Sequence, residues 1–221
     1  MALIKIIKVK QIVDALIKYV RDDYNNTVDK TETFLYRLLG DNTEGDYNFY
    51  EQAKEIFLRD DLKARKIRTS LMFNKNTNGA PHIHVRESSR VKGNFNTIGG
   101  IQGEQFIYED GSFSEQYRDT KRGTYEVLIT SMNALDTILI AEVVYTLMYG
   151  AYETFQNEFS TFDFSLKELV FQNSNMAEQL FVKAITLDTQ QENVIPSIIT
   201  NEVLDKVNFL VSSINGENTV E

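Results

Sequence analysis

The chain contains no cysteine, which excludes disulfide staples, iron–sulfur clusters, thiolate zinc sites and thiol nucleophiles and leaves the redox compartment open. Histidine is nearly absent too: His82 and His84 are the only two, so any histidine-centred chemistry has to run through that pair. Basic side chains are the minority, 23 against 32 acidic ones, with a net charge of −9 and a pI near 4.9. That balance is opposite to the electrostatic footprint of a protein that grips phosphates, so tight sequence-independent DNA binding is not expected. No window approaches ~20 uncharged apolar residues. The start, Met1-Ala-Leu-Ile-Lys-Ile-Ile-Lys-Val-Lys10, is broken by three lysines and lacks the cleavage site of a signal peptide. These absences predict a protein made and kept in a cytoplasm, with no membrane partner. There is no internal repeat and no low-complexity tract.

What is present is ordinary for a globular domain, with 42% apolar and 25% charged residues, so a real core is expected. A length of 221 residues suits one domain with extensions. We expect a domain over 1–187 with an insertion at 25–62 and an arm at 88–123, followed by a C-terminal extension over 188–221.

Val9, Ile12, Val13, Leu16, Ile17 and Val20 recur at helical spacing and predict an amphipathic helix over 9–21. Residues 25–48, rich in Asn, Asp, Thr and Gly, read as a long loop carrying a short structured piece around Phe34–Leu39, and 50–62 is again helix-like. Alternation then predicts strands over Arg68–Asn74 and His82–Glu87, paired as a hairpin. Residues 88–123 hold six of the eleven glycines, interleaved with Phe95, Phe106, Tyr108, Phe113 and charges of both signs. So little packing pattern predicts an arm that orders on a partner. Thr124–Thr130 reads as a strand, and Asn133 opens a helix running to about Gln156, with Asp136 at the capping-box position. Its apolar residues cover more than one face, as in a helix covered by a sheet on one side and by something else, here expected to be another subunit, on the other. Strands over Phe164–Gln172 and Glu178–Leu187 follow, then a polar link, Pro196 and a helix-like piece over Ile198–Val211. The expected fold is α+β: a mostly antiparallel sheet with two packed helices, a long glycine-rich arm and a C-terminal extension.

The sharpest chemical motif is Pro81-His82-Ile83-His84-Val85-Arg86-Glu87. Two histidines at i, i+2 on a strand share a face and suit a common metal. A third ligand at the right spacing is missing, since Glu87 falls on the opposite face; two half-exposed strand residues is the favoured reading. Gly99-Gly-Ile-Gln-Gly103 lacks the following Gly-Lys-Ser/Thr and the helix start of a phosphate loop. The carboxylate pairs Asp22-Asp23, Asp60-Asp61 and Glu109-Asp110 sit in solvated surroundings, and Ser131 lacks nucleophile-elbow glycines. Arg90, Lys92, Arg118, Lys121 and Arg122 form a local basic cluster. With nearby aromatics it imitates a single-strand nucleic acid binder, but pairing with acidic patches on neighbouring subunits fits the net charge better. No catalytic, cofactor-binding or metal residue is assigned. The candidate subunit-interface residues are Phe95, Phe106, Tyr108, Phe113, Leu139 and Val143.

Taken in order, residues 7–187 resemble the tail-terminator and tail-completion family of tailed bacteriophages. The resemblance is carried by Pro81–Glu87 leading through the glycine excursion into Gly123-Thr-Tyr-Glu-Val-Leu-Ile-Thr-Ser-Met-Asn133 and the apolar helix beyond. It implies a non-enzymatic virion protein without cofactors, assembled in the host cytoplasm and located in the neck. Such a subunit forms a homo-oligomeric ring of six or twelve copies, touches portal-side, neck and tail proteins, and lets DNA pass without specific binding. The rival readings are a metal-dependent small-molecule enzyme using His82 and His84, and an intracellular adaptor unrelated to phages.

Overall fold

The computed structural model of the chain describes residues 5–58, 66–72, 81–92, 102–107, 113–169 and 180–196. Helix α1 spans Lys5–Asn26, and its buried Val9, Val13, Ile17 and Val20 are the stripe that the apolar spacing predicts. The stretch expected to be mostly loop is more regular than that. Asp29 caps a short 3₁₀ turn over Lys30–Glu32, and Thr33 caps α2, Phe34–Leu39. Gly40 closes α2 so tightly that a Cβ there would stand 2.7 Å from the Tyr36 carbonyl oxygen. A two-stranded ribbon, β1 (Thr43–Glu44) with β2 (Tyr47–Asn48), turns through Gly45 at φ 56°, a left-handed conformation that glycine adopts without a Cβ penalty. Asn48 then caps α3, Phe49–Phe57. Leu35, Leu39, Tyr50, Ala53, Ile56 and Phe57 all enter the main core.

Next come β3 (Arg68–Leu71), β4 (His82–Lys92), β5 (Gln102–Ile107) and β6 (Phe113–Ser131). They are followed by α4 (Ala134–Gly150), α5 (Tyr152–Glu158), β7 (Thr161–Glu168) and β8 (Phe181–Pro196). The chain divides into two units. The larger comprises Ala2–Lys92 and Lys121–Gln191, the smaller Met1, Gly93–Thr120 and Glu192–Glu221. In the larger unit the strands lie in the order β3-β4-β6-β8-β7. The β4/β6 and β7/β8 pairs are antiparallel. In the smaller unit β5 pairs antiparallel with the first part of β6, from Gln102 opposite Arg118 to Ile107 opposite Phe113. The fold is α+β with a mixed, mostly antiparallel sheet.

Four expectations need correction. β3 and β4 are neighbours, but they pair in parallel, Arg68 beside His82 and Leu71 beside Val85, so they are not a hairpin. The stretch 88–123 is not without regular structure: β4 continues to Lys92, and β5 and β6 lie within it. The polar link after Leu187 is strand as far as Pro196. The long helix breaks at Ala151, where α4 and α5 are bent by 65°. The turn at 173–175 and the helix-like piece over 198–211 lie outside the described residues.

Ile83 and Val85 of β4, Tyr125, Val127 and Ile129 of β6 and Ile185 and Leu187 of β8 share one core with α1, α2, α3 and α4. The alternate residues His84, Leu128, Thr130, Ala184 and Thr186 are buried as well, so the middle of the sheet is covered on both faces. Helix α4 is apolar on nearly all sides because it packs against α1 and α3 as well as β7. The second cover inferred from its sequence is supplied by the same chain. Among the described residues no single helix is long and apolar enough to cross a membrane.

Candidate functional site: the histidine pair and its surroundings

Strand alternation puts both histidines on one face of β4, as expected. Their rings stack, centroids 5.5 Å apart and planes 3° from parallel. The expectation of two half-exposed residues holds for His82, of intermediate exposure, and fails for His84. His84 is completely buried, and Nε2 of His82 is a buried atom without a hydrogen-bond partner among the described residues. The reason is the two-sided burial of β4, which alternation of Ile83 and Val85 alone does not reveal.

The environment of His84 comes from three strands. Ser70 of β3 lies opposite it in the parallel register, and its Oγ is 2.8 Å from Nδ1. Thr130 of β6 places Oγ1 3.5 Å from Nε2. Met72, just past β3, adopts φ 63°, a strained value for a residue with a Cβ, while its N–H donates to the Val85 carbonyl at 3.0 Å. Burial lowers the pKa of His84, partly opposed by a hydrogen bond to the Met72 main chain. Burial also drives His82 down to about 4, helped by the neighbouring His84 ring and the Arg68 guanidinium. Both rings are therefore neutral at neutral pH.

A serine 2.8 Å from a histidine has the distance of a nucleophile and its base. Here Ser70 meets one ring nitrogen, and the group at the other nitrogen is a threonine hydroxyl. A base of this kind is ordinarily oriented by a carboxylate. Among the described residues no group of three or more histidines and carboxylates could hold a metal ion. What the arrangement does is satisfy a buried imidazole and fasten the short strand β3 to the sheet.

The other expected residues are dispersed. Leu139 and Val143 are 1% and 0% exposed within the single chain. Their dry surroundings come from the chain's own core, and the interface role expected for them is corrected to a core role. Phe106 belongs to β5 and Phe113 opens β6; Phe95 and Tyr108 lie outside the described residues. Ser131 takes part in the start of α4. Its Oγ accepts the N–H of Asn133 at 3.2 Å, and Asn133 in turn caps Leu135 at 2.9 Å. Asp136 does not complete a capping box; it accepts the Tyr47 hydroxyl at 2.7 Å. The basic cluster is gathered in part, with Val91 opposite Arg122 and Lys92 opposite Lys121. Arg90 is held by both carboxylate oxygens of Glu87, at 2.6 and 2.7 Å, and Arg86 by Glu126.

Sequence reasoning missed Ser70, Met72 and Thr130, since only the parallel β3/β4 register and the β4/β6 register bring them to His84. Comparison with protein-family models and with curated proteins returned no match.

Proposed function

We propose that the chain is a structural virion protein, a subunit of a ring in the neck of a tailed phage that joins the portal-side complex to the tail and leaves a passage for DNA. The observation that carries this reading is the passage of β6 through Ser131–Asn133 into α4, which packs in the core of the sheet. That strand, polar turn and apolar helix are the part of the sequence on which the resemblance to tail-terminator proteins rests. The charge of −9 is in keeping with it, because an acidic wall does not hold passing phosphates. A ring requires contacts between unlike surfaces of identical subunits, repeated until they close. On this reading the subunit is made in the host cytoplasm, uses no cofactor and works through its own copies and the adjoining neck proteins. A metal-dependent enzyme centred on His82 and His84 has less support, as both rings are engaged in or beside the buried hydrogen-bond cluster.

Negative-stain images of the purified full chain, alone and with portal-side and tail proteins, test the proposal. Rings with a central hole are the expected result. A chain that stays monomeric at every concentration, with and without those partners, overturns it.

A further inference from the structure

A cleft of about 570 Å³ in the larger unit crosses β4, β6, β8 and β7 and is lined by Ser89, Arg122, Thr124, Asp163 and Asp188 among others. Asp163 of β7 stands directly opposite Asp188 of β8. Like charges in such a cross-strand pair repel. Asp188 receives the Thr124 hydroxyl at 2.6 Å, and Asp163 receives the N–H of Phe164 at 2.9 Å. Both carboxylates are exposed, and among the described residues neither has an ion-pair partner, Arg122 included. Among the described residues β7 is also a terminal strand, and its outer backbone edge has no neighbour in the sheet.

The other terminal strand has the opposite sign. Arg68 is exposed at the start of β3; Lys10 of α1, which reaches Thr69 at 3.4 Å, is already paired with Asp14 at 2.6 Å, so Arg68 carries the charge of this edge. Arg68 has no ion pair among the described residues either. One sheet therefore ends in an acidic edge at β7 and a basic edge at β3. A two-fold contact between two β7 edges would crowd four carboxylates together, and one between two β3 edges would set Arg68 against Arg68. Only a head-to-tail contact brings unlike charges face to face, and a head-to-tail contact is the kind that closes into rings.

We propose, resting on the ring reading above, that the cleft at the β7–β8 edge receives the basic β3 edge of a second copy of this chain, with Arg68 of one copy neutralising Asp163 and Asp188 of the next. The contact is heterologous, and each copy gives one edge and takes the other.

Charge reversal in the full chain tests this, read by mass photometry and sedimentation. The double variant Asp163→Lys/Asp188→Lys and the single variant Arg68→Glu change exposed side chains, so each should keep the wild-type circular dichroism melt. Each should raise the dissociation constant between subunits at least about tenfold. The triple variant carrying all three changes, and an equimolar mixture of the two separate variants, should assemble again, the mixture in even-numbered rings. Assembly that ignores the reversals, that persists as a two-fold dimer in Arg68→Glu, or that is lost and not restored by the combination overturns this contact while leaving the ring reading in place. A wild-type chain that never assembles removes both.

Discussion

Lys5 Nζ lies 2.9 Å from a carboxylate oxygen of Glu158 and 2.9 Å from the main-chain carbonyl oxygen of the same residue. The pair joins the first turn of α1 to the last residue of α5, and the ammonium also sits 5.6 Å from the Phe159 ring centroid. A cation at a helix C-terminus is well placed against the exposed carbonyls there. Lys5 is 8% exposed, so removing its carboxylate leaves a mostly desolvated charge with one neutral acceptor. Glu158→Ala should lower unfolding free energy by about 1–3 kcal/mol in urea titrations, and Lys5→Met, which deletes the charge but keeps the bulk, by less. Equal losses from the two variants would mean that the ion pair contributes through packing alone.

Tyr47 and Asp136 make a second long-range tie, between the β1/β2 ribbon and the first turn of α4. Asp136 is 6% exposed and its Oδ1 accepts the phenol hydroxyl at 2.7 Å. Tyr47→Phe removes that donor and should cost about 1–3 kcal/mol, as expected where a buried carboxylate loses a hydrogen bond. Amide exchange should show the loosening at 43–48 and at the start of α4, and an unchanged exchange pattern there would count against the tie.

How much of this was legible in the sequence depends on the range of the contacts. α1 follows from local apolar spacing, the apolar run Phe34–Leu39 marks a short structured piece without fixing it as a helix, and Asn133 announces the start of α4 by its side-chain chemistry. The parallel pairing of β3 with β4 has no local mark, because two alternating runs read the same in either direction. The outer part of β4, with Arg86, Glu87, Ser88, Ser89 and Arg90 in succession, offers no apolar face and so does not alternate. His84 looked half-exposed because its neighbours Ile83 and Val85 fill one face, while its partners on the other face, Ser70 and Thr130, come from strands remote in sequence. The Asp163–Asp188 pair is likewise a product of β7/β8 register.

The histidine pair makes stability depend on pH. The folded-state pKa of His82 is about 4 against an ordinary 6.5, and that of His84 is lowered in the same direction. Between those values the unfolded chain binds protons that the folded chain refuses, so stability is full above pH 6.5 and falls as the pH drops toward 4. The urea midpoint should decline over that window, and His82→Asn should flatten the decline. His84→Asn should in addition lower the midpoint at pH 7.5, since Ser70 and Thr130 lose a buried partner. If the wild type and His82→Asn lost stability in parallel down to pH 4.5, the titrating groups would lie elsewhere.

Ile138 and Leu139 are consecutive on α4 yet 36% and 1% exposed, and this contrast separates a core role from an interface role for the helix. The 100° step of a helix turns Leu139 inward with Val143, while Ile138 looks out beside Glu142. Leu139→Ala removes buried methyl groups and leaves a cavity among rigid neighbours, so the isolated subunit should lose about 2–5 kcal/mol. Val143→Ala deletes less and should cost about half as much. Leu139→Asp places a charge where the dry core offers no counter-ion, and the chain should fail to fold. Ile138→Ala, by contrast, should change the unfolding free energy of the subunit by no more than about 0.5 kcal/mol. Urea titration of the dilute, unassembled chain distinguishes the two roles, because a residue that matters only between subunits has no effect there. A Leu139→Ala variant as stable as the wild type under those conditions would return Leu139 to the subunit interface and undo the packing of α4 against α1 and α3.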